Sequence, residues 1–492
     1  MNLNSPDMTD TKPNATAATL TRRTFLAIGA GLLALAAGCA VGPDYKRPEV
    51  SVPAAYKEDP LWKLAAPGDD EPKGPWWESF GDPVLNGLEA QVEASNQSIR
   101  QALASYEQAV ATLKADRTGF GPQVGVAGSV QRSKATAASS LGHSTPTNFY
   151  VAELQASWEP DIWGRLRLTV EADAAAAAAS EADLANARLS MQAALAQNYI
   201  GLRASDEKIR LLEDAVAAYA RTLKISQNKY SVGVAARSDV IVARTQLDST
   251  RAQLIAAGVQ RAQYEHAVAV LVGRAPAEFS IERTPAMGLT VPVVPPQLAS
   301  RLLERRPDVA AAERLAMEAN ARIGVQTAAY FPALSLSGSG GYEGSPLSSL
   351  FTTPFRFWTL GAQASDALLD WGQRRDLVRS AKAAYEASAA NYRETVLTAL
   401  QQVEDNLAGL RILREEAEVQ QAAVSEAAQA AQIALNEYNA GTADFTTVAS
   451  AQVTELSNRE TALAVLQSQL TSSVALIQAL GGGWTAGGDK GR

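Results

Sequence analysis

Asn228-Lys229-Tyr230-Ser231-Val232-Gly233 is answered by Asn436-Glu437-Tyr438-Asn439-Ala440-Gly441, 208 residues further along the chain. The same spacing holds outward in both directions. Upstream, Trp163-Gly164 meets Trp371-Gly372, Arg167 meets Arg375, and Asn198 meets Asn406. Downstream, Val240 meets Val448, Arg251 meets Arg459, and Gly273 meets Gly481. A constant offset over about 110 residues marks a duplicated unit. Two copies are too few for a solenoid array. Each copy reads as a very long helix, a glycine turn and a shorter return helix.

The long helices are predicted over 164–229 and 371–438, with no proline in the first and only Gly201 inside it. A seam spaced at 3.5 residues runs through Leu184, Met191, Leu195, Leu202, Ile209, Leu212, Val216, Tyr219 and Leu223. Tyr392, Val396, Val403, Leu410 and Leu413 lie on the matching seam of the second copy. Such a seam favours coiled-coil packing. At 1.5 Å per residue, about 65 residues make a rod of roughly 100 Å. The chain returns through helices 238–270 and 446–479, and helices 84–118 and 308–329 are placed to fill the length left unmatched.

In front of each long helix the apolar period changes from 3.6 to 2. Val124, Val126 and Val130 alternate with polar or small residues, and so do Tyr150, Ala152, Leu154, Ala156 and Trp158. The second copy repeats this with Leu334 and Leu336, then with Trp358, Leu360, Ala362 and Ala364. Two hairpins, about 121–159 and 332–366, are therefore predicted. Strands of about ten residues with one apolar face and aromatics near their ends suit a membrane β-barrel. A half-buried hairpin on a soluble domain has the same pattern. The export address described below favours the barrel, and no run of 18 apolar residues follows it to span as a helix. Four strands cannot close alone, because known barrels start at eight and open edges are not tolerated in hydrocarbon. Several chains must then share one barrel: two copies give eight strands and three give twelve.

Composition narrows the function. The chain has 492 residues, is 47% apolar and 20% charged, and carries a net charge of −8. That charge argues against nucleic acid, whose phosphates call for a basic footprint. The two histidines, His143 and His266, are far apart, so a histidine-based metal or catalytic centre is not expected. No Gly-x-Ser-x-Gly elbow, His-Glu-x-x-His or phosphate-cradling loop occurs, which speaks against an enzyme. Acidic pairs such as Glu415-Glu416 read as a solvated face. No cofactor is expected.

The N-terminus reads as an address. Arg22-Arg23 is followed by an apolar stretch ending in Gly38-Cys39, the pattern of a secretory signal. Cys39 is the only cysteine in the chain, so no intramolecular disulfide can form. Its place after small residues resembles a bacterial lipobox, although Ala36 stands where leucine is preferred. The other reading is an ordinary signal peptide with an incidental cysteine. Ala40, in place of aspartate, implies sorting to the outer membrane for a lipoprotein of this class. Thr21-Arg22-Arg23-Thr24-Phe25-Leu26 also fits a twin-arginine signal, so the export route stays open between that and the general one. Beyond the cysteine, Pro53, Pro60, Pro67, Pro72 and Pro75 predict an extended strap, anchored by Trp76, Trp77 and Phe80. The domain plan is a signal peptide at 1–38, a lipid-anchored strap at 39–83, a first repeat at 84–295, a second at 296–484 and a disordered tail at 485–492.

Five stretches together carry a family resemblance. They are Gly42-Pro43-Asp44-Tyr45-Lys46-Arg47-Pro48, Trp158-Glu159-Pro160-Asp161-Ile162-Trp163-Gly164-Arg165 and Leu303-Glu304-Arg305-Arg306-Pro307-Asp308-Val309. The others are Ala319-Asn320-Ala321-Arg322-Ile323-Gly324, continued by Tyr330-Phe331-Pro332-Ala333-Leu334-Ser335, and Leu480-Gly481-Gly482-Gly483-Trp484. Across essentially the whole mature chain the sequence resembles the TolC-like outer-membrane efflux proteins, nearest their lipid-anchored OprM- and NodT-like branch. The resemblance implies a mainly α fold with a membrane β part. Four strands per chain would contribute to a twelve-stranded barrel of a homotrimer, continued by a long helical barrel in the periplasm of a Gram-negative bacterium. It implies lipid on Cys39, a periplasmic adaptor, an inner-membrane pump of the proton-driven RND type, and a passive gated exit for drugs and other small toxic compounds. Relatives narrow at the helix tips with leucine and aspartate. The matching places here hold Thr446 and Ser450, with Asp444 nearby and Asp239 at the equivalent tip of the first copy, so these four are the gate candidates. Two other functions fit the same features: a conduit for type I polypeptide export, and a non-conducting structural lipoprotein. The duplication predicts quasi-sixfold symmetry in a trimer, broken at the tips, where Arg237-Ser238-Asp239 faces Phe445-Thr446-Thr447 and opening is expected to be controlled.

Overall fold

The computed structural model describes residues 41–50, 57, 75–134, 145–284, 287–292 and 306–482. Cys39, the signal, most of the strap and the tail lie outside the described residues. The elements, in order, are helices α1 (Pro83–Ser95) and α2 (Gln97–Arg117), strands β1 (Gln123–Ser133) and β2 (Thr147–Trp158), and helices α3 (Arg165–Ser231) and α4 (Arg237–Leu271). Then come α5 (Pro307–Ala328), β3 (Ala333–Gly344), β4 (Arg356–Ser365), α6 (Gln373–Ala440) and α7 (Phe445–Ala479). Short 3-10 turns precede α1 (Trp76–Phe80) and β1 (Thr118–Phe120).

The continuous helix expected over 84–118 is two helices. Asn96 leaves the helical region (ψ 129°), and its Oδ1 accepts the amides of Ser98 and Ile99 at 2.9 and 3.1 Å, starting α2 afresh. An asparagine N-cap of this kind needs neither glycine nor proline, and the apolar period runs on across it. At its other end α1 is started by Asp82, which caps the amides of Val84 and Leu85, with Pro83 in the first turn.

The four strands form one antiparallel sheet in the order β1-β2-β3-β4. The two hairpins are thus neighbours, joined through β2 and β3, although 174 residues lie between Trp158 and Ala333.

The chain packs as two compact units. One consists of residues 1–46, 111–175 and 317–386 and holds the sheet. Within it Trp163 stacks on Phe331 at 4.7 Å and donates through Nε1 to the Pro332 carbonyl at 2.8 Å. Gly42 lies so close to Gly324 that a Cβ on Gly42 would come within 2.9 Å of the Gly324 Cα. Val41 donates its amide to the Trp163 carbonyl, and Asn320 donates to the Pro43 carbonyl at 2.9 Å. The start of the strap is therefore held by the Asn320–Gly324 turns of α5, which gives both sequence stretches a packing role.

The other unit consists of residues 47–110, 176–316 and 387–492. One core joins Leu85, Leu88 and Val92 of α1 to Leu195, Tyr199 and Leu202 of α3, Val268 of α4, and Leu470 and Val474 of α7. A second joins Val309 of α5, Tyr392, Val396 and Val403 of α6, and Leu476 of α7. The seam residues Leu184, Leu195, Leu202, Ile209, Leu212 and Tyr219 are all buried. Arg47 extends the strap here, pairing with Glu313 at 2.8 Å and donating to Tyr392 Oη at 3.0 Å.

One helix meets a looser test than the unbroken apolar run looked for in the sequence. α7 is long and apolar enough to cross a membrane by composition, with mean hydropathy 1.2 over 18 residues. Part of that apolar surface, at Val465, Leu470, Val474 and Leu476, packs inside the helical unit. The criterion of an unbroken apolar run missed it because Ser, Thr and Gln interrupt the run.

Candidate functional site

A site for moving molecules across a membrane is a surface, and the pairing register defines it here. Paired residues lie on one face of a sheet, and faces alternate along each strand. Gln123 pairs with Ser157, Ser157 with Ser337, and Ser337 with Gly361. That face carries Gln123, Ser129, Gln131, Glu153, Gln155, Ser157, Ser335, Ser337, Ser339, Thr359 and Gln363, with Phe149, Val151 and Phe357 toward the loop ends. The opposite face carries Val124, Val126, Val130, Leu154, Trp158, Leu336, Trp358, Leu360, Ala362 and Ala364. Arg132, Asn148 and Arg356 appear on it only at the loop end.

Val126, Leu154, Trp358 and Leu360 are exposed on that apolar face, and no described element covers it. A contiguous exposed patch of this kind is out of place in water. In hydrocarbon it is the expected outer surface of a barrel, with the polar face toward a lumen. β1 and β4 each keep one edge unpaired among the described residues.

At the far ends of the helical hairpins the repeats meet asymmetrically. Gly233 (φ +77°) and Gly441 (φ +81°) follow α3 and α6 in the left-handed conformation, accepting a geometry that other residues resist. Lys229, near the end of α3, donates through Nζ to the Tyr438 carbonyl and to the Asn439 carbonyl at 3.4 Å, and its Nζ lies 4.2 Å from the Tyr438 ring centroid. A cation on the last carbonyls of α6 opposes the negative end of that helix's dipole. Tyr438 packs edge-on against Phe445 at 5.4 Å and donates to Ser226 Oγ at 3.3 Å. Below them Tyr219 donates to the Gln452 carbonyl at 3.0 Å, and Gln452 donates to Thr222 Oγ1 at 3.2 Å. Ala243, Ala434, Tyr438, Phe445 and Val448 form the apolar core of this end.

The four sequence candidates lie around that core and outside it. Asp239 is in the first turn of α4, half-buried, with Ser238 Oγ 3.4 Å from its carboxylate. Asp444 is the N-cap of α7, with no side-chain capping bond, and is exposed. Thr446 and Ser450 are exposed one turn apart on α7. Lys229, Tyr438, Phe445 and Gln452 join the two tips, and of these the sequence reading singled out only Phe445, as an asymmetry between the copies. A signal existed: their repeat equivalents are Glu437, Tyr230, Arg237 and Arg244, so three of the four change chemistry between copies. Among the described residues no group of three or more His, Cys, Asp or Glu side chains is placed to hold a metal ion.

A profile of the family described as Outer membrane efflux protein matches residues 88–274 and 298–482. The probable efflux pump outer membrane protein TtgC of Pseudomonas putida is 29% identical over 464 residues, covering 91% of this chain and 93% of that protein. The solved outer-membrane channel OprN is 29% identical, with a TM-score of 0.83 over 91% of this chain and 100% of that one. The open state of the MtrE outer membrane channel of Neisseria gonorrhoeae is 26% identical, with a TM-score of 0.81 over 91% and 99%.

Proposed function

The chain belongs to the outer membrane efflux protein family, and from that premise we propose a trimeric, lipid-anchored exit duct for small toxic compounds. It is an outer-membrane channel of a tripartite efflux pump, with a large periplasmic part. The observation that carries the membrane assignment is the register of the sheet. Every large apolar strand residue from Val124 to Val130 and from Trp358 to Leu360 faces one side, with polar residues on the other. Three copies would supply twelve strands, enough to close a barrel that four cannot.

Diacylglycerol on Cys39 would hold the chain to the membrane. Val41, two residues on, donates its amide to the Trp163 carbonyl beside the sheet. The adaptor and the RND-type pump are partners inferred from the family. The duct does no chemistry in this scheme, and the pump supplies the energy.

We place the gate at the helix tips. The Lys229–Tyr438 contact holds the end of α3 to the last turn of α6, and Asp239, Asp444, Thr446 and Ser450 lie at the starts of the return helices that follow. Three measurements test the proposal together: crosslinked trimers in outer-membrane fractions, single-channel conductance in planar bilayers, and drug susceptibility of a deletion strain. A chain recovered only as a soluble periplasmic monomer would refute it. Lost secretion of a polypeptide with unchanged drug susceptibility would assign the duct to protein export.

A further inference from the structure

Charge on the four strands is sorted by face. Each strand carries one charged side chain: Arg132 on β1, Glu153 on β2, Glu343 on β3 and Arg356 on β4. Glu153 pairs with Ala127 and Gly341, and Glu343 pairs with Val151, so both carboxylates lie on the polar face. Arg132 pairs with Asn148, and Arg356 with Tyr342, so both guanidinium groups share the other face with Val126, Leu154 and Leu360. On the strands the acids face the lumen and the bases face the hydrocarbon side.

The two arginines also stand at one end of that face. The hairpin loops lie at the opposite end of the strands from the long helices, and in an outer-membrane channel with a large periplasmic part that end is the external one. Along β4, Leu360 and Trp358 give way to Arg356. Along β1, Val124, Val126 and Val130 give way to Arg132, and Lys134 is exposed two residues beyond. Aromatic rings stand between the apolar band and these charges. Tyr342 is opposite Arg356, Tyr150 is opposite Val130, and Phe351 packs edge-on against Tyr342 at 5.4 Å. An apolar band, then aromatic rings, then cations is the order of surfaces met in passing from hydrocarbon to headgroups.

We propose that Arg132 and Arg356 bind the phosphate groups of a glycolipid in the external leaflet of the outer membrane. The surface is continuous with the lipid-facing band, so its occupant is a lipid. No acidic strand residue lies on that face, so an anionic headgroup meets no repulsion there. Both side chains are exposed, and among the described residues neither has an ion-pair or hydrogen-bond partner. A guanidinium offers a fork of donors that matches a phosphate, and its stem can lie along apolar surface while the head reaches outward. Both side chains project from the face of the sheet and not from its edge, which leaves them clear of the strands' hydrogen bonding.

The site exists only if the sheet spans the membrane with its loops outward, the orientation that rests on the duct proposed above, and the two can be tested apart. Full-length protein in detergent is mixed with bisphosphorylated lipid A or with the same lipid after dephosphorylation, and bound lipid is counted by native mass spectrometry. Wild type should retain the phosphorylated lipid and release the other. Arg132→Gln with Arg356→Gln should weaken retention about tenfold, the loss of one charge-assisted contact. Glu153→Gln with Glu343→Gln, which removes as many charges from the polar face, should retain the lipid as wild type does. Equal retention of the two lipids, or equal retention by the arginine variant and wild type, overturns the site. The comparison of lipids needs no variant, so it decides the matter even if the arginine variant does not fold. If wild type retains neither lipid while its single-channel conductance persists, the site is wrong and the duct stands. If wild type neither retains lipid nor conducts, both fall.

Discussion

Asn96 and Arg306 hold equivalent carbonyls at the ends of the two return helices. Asn96 Nδ2 donates to the Leu271 carbonyl at 2.8 Å, and Arg306 Nη1 donates to the Ala479 carbonyl at 3.0 Å. Leu271 and Ala479 are themselves 208 residues apart. Asn96 also caps α2, whereas Arg306 pairs with Asp308 in the first turn of α5 and reaches Gln402 at 2.9 Å. The same junction is built once from an amide and once from an ion pair.

The two solutions should differ in cost when removed. Arg306 is buried, so Arg306→Ala strands a carbonyl and a carboxylate together and should cost about 3 kcal/mol or more. Asn96→Ala removes a cap and one further bond, about 1–2 kcal/mol. Denaturant unfolding of the purified protein measures both, and equal losses would contradict this account of the junction.

Glu89 of α1 is wholly buried, with no hydrogen-bond partner among the described residues on either carboxylate oxygen, and burial pushes its carboxyl up to about 9. The folded chain then keeps a proton that the unfolded chain releases above 4.5. Stability should fall as pH rises through that window, on the order of 1 kcal/mol per pH unit. Glu89→Gln should flatten the slope in a melting series from pH 5 to 9. An unchanged slope would show that Glu89 has a partner in solution.

Asp173 of α3 titrates in a narrower window. Burial first, then a hydrogen bond that the protonated carboxyl donates to Asp116, raises its carboxyl to about 6, against the opposing pull of Arg322 at 3.0 Å. Glu318 adds a further negative charge beside it. Its contribution to stability should therefore decline between 3.8 and about 6 and stay level above that. Asp173→Asn should gain on wild type across that range and hold a constant difference from pH 7 to 8. A gap still widening above pH 7 would point to another group.

Lys229→Met should loosen the tip. Losing the bonds to the Tyr438 and Asn439 carbonyls removes about 1 kcal/mol, a roughly fivefold shift in an opening equilibrium. Single-channel recordings should show longer open times than wild type. Unaltered gating with intact trimers would remove Lys229 from the gate.

The sheet and the long helices were legible because both rest on local periodicity. Val124, Val126 and Val130 alternate whatever they pair with, and Leu195, Leu202 and Leu212 trace their seam without reference to the partner helix. The break at Asn96 was hidden because the apolar period crosses it unbroken, and its reason, the Leu271 carbonyl, lies 175 residues away. The gate candidates were placed at the tips of the hairpins by the glycine turns. The contacts joining the tips were not, since Lys229 and Tyr438 are 209 residues apart.

From the chain alone came the duplication, the lengths of its helices, the turns at Gly233 and Gly441 and the two-faced strands. These follow from residue spacing and from backbone preferences that act over a few residues. Packing settled the strand order that brings β2 beside β3, and which member of each repeated pair does a different job. Lys229 clamps a helix end where Glu437 could not, and Trp163 is seated while Trp371 stands open. Two repeats built on one plan share the local preferences that form their helices and turns, so the difference between their contacts arises where distant side chains meet.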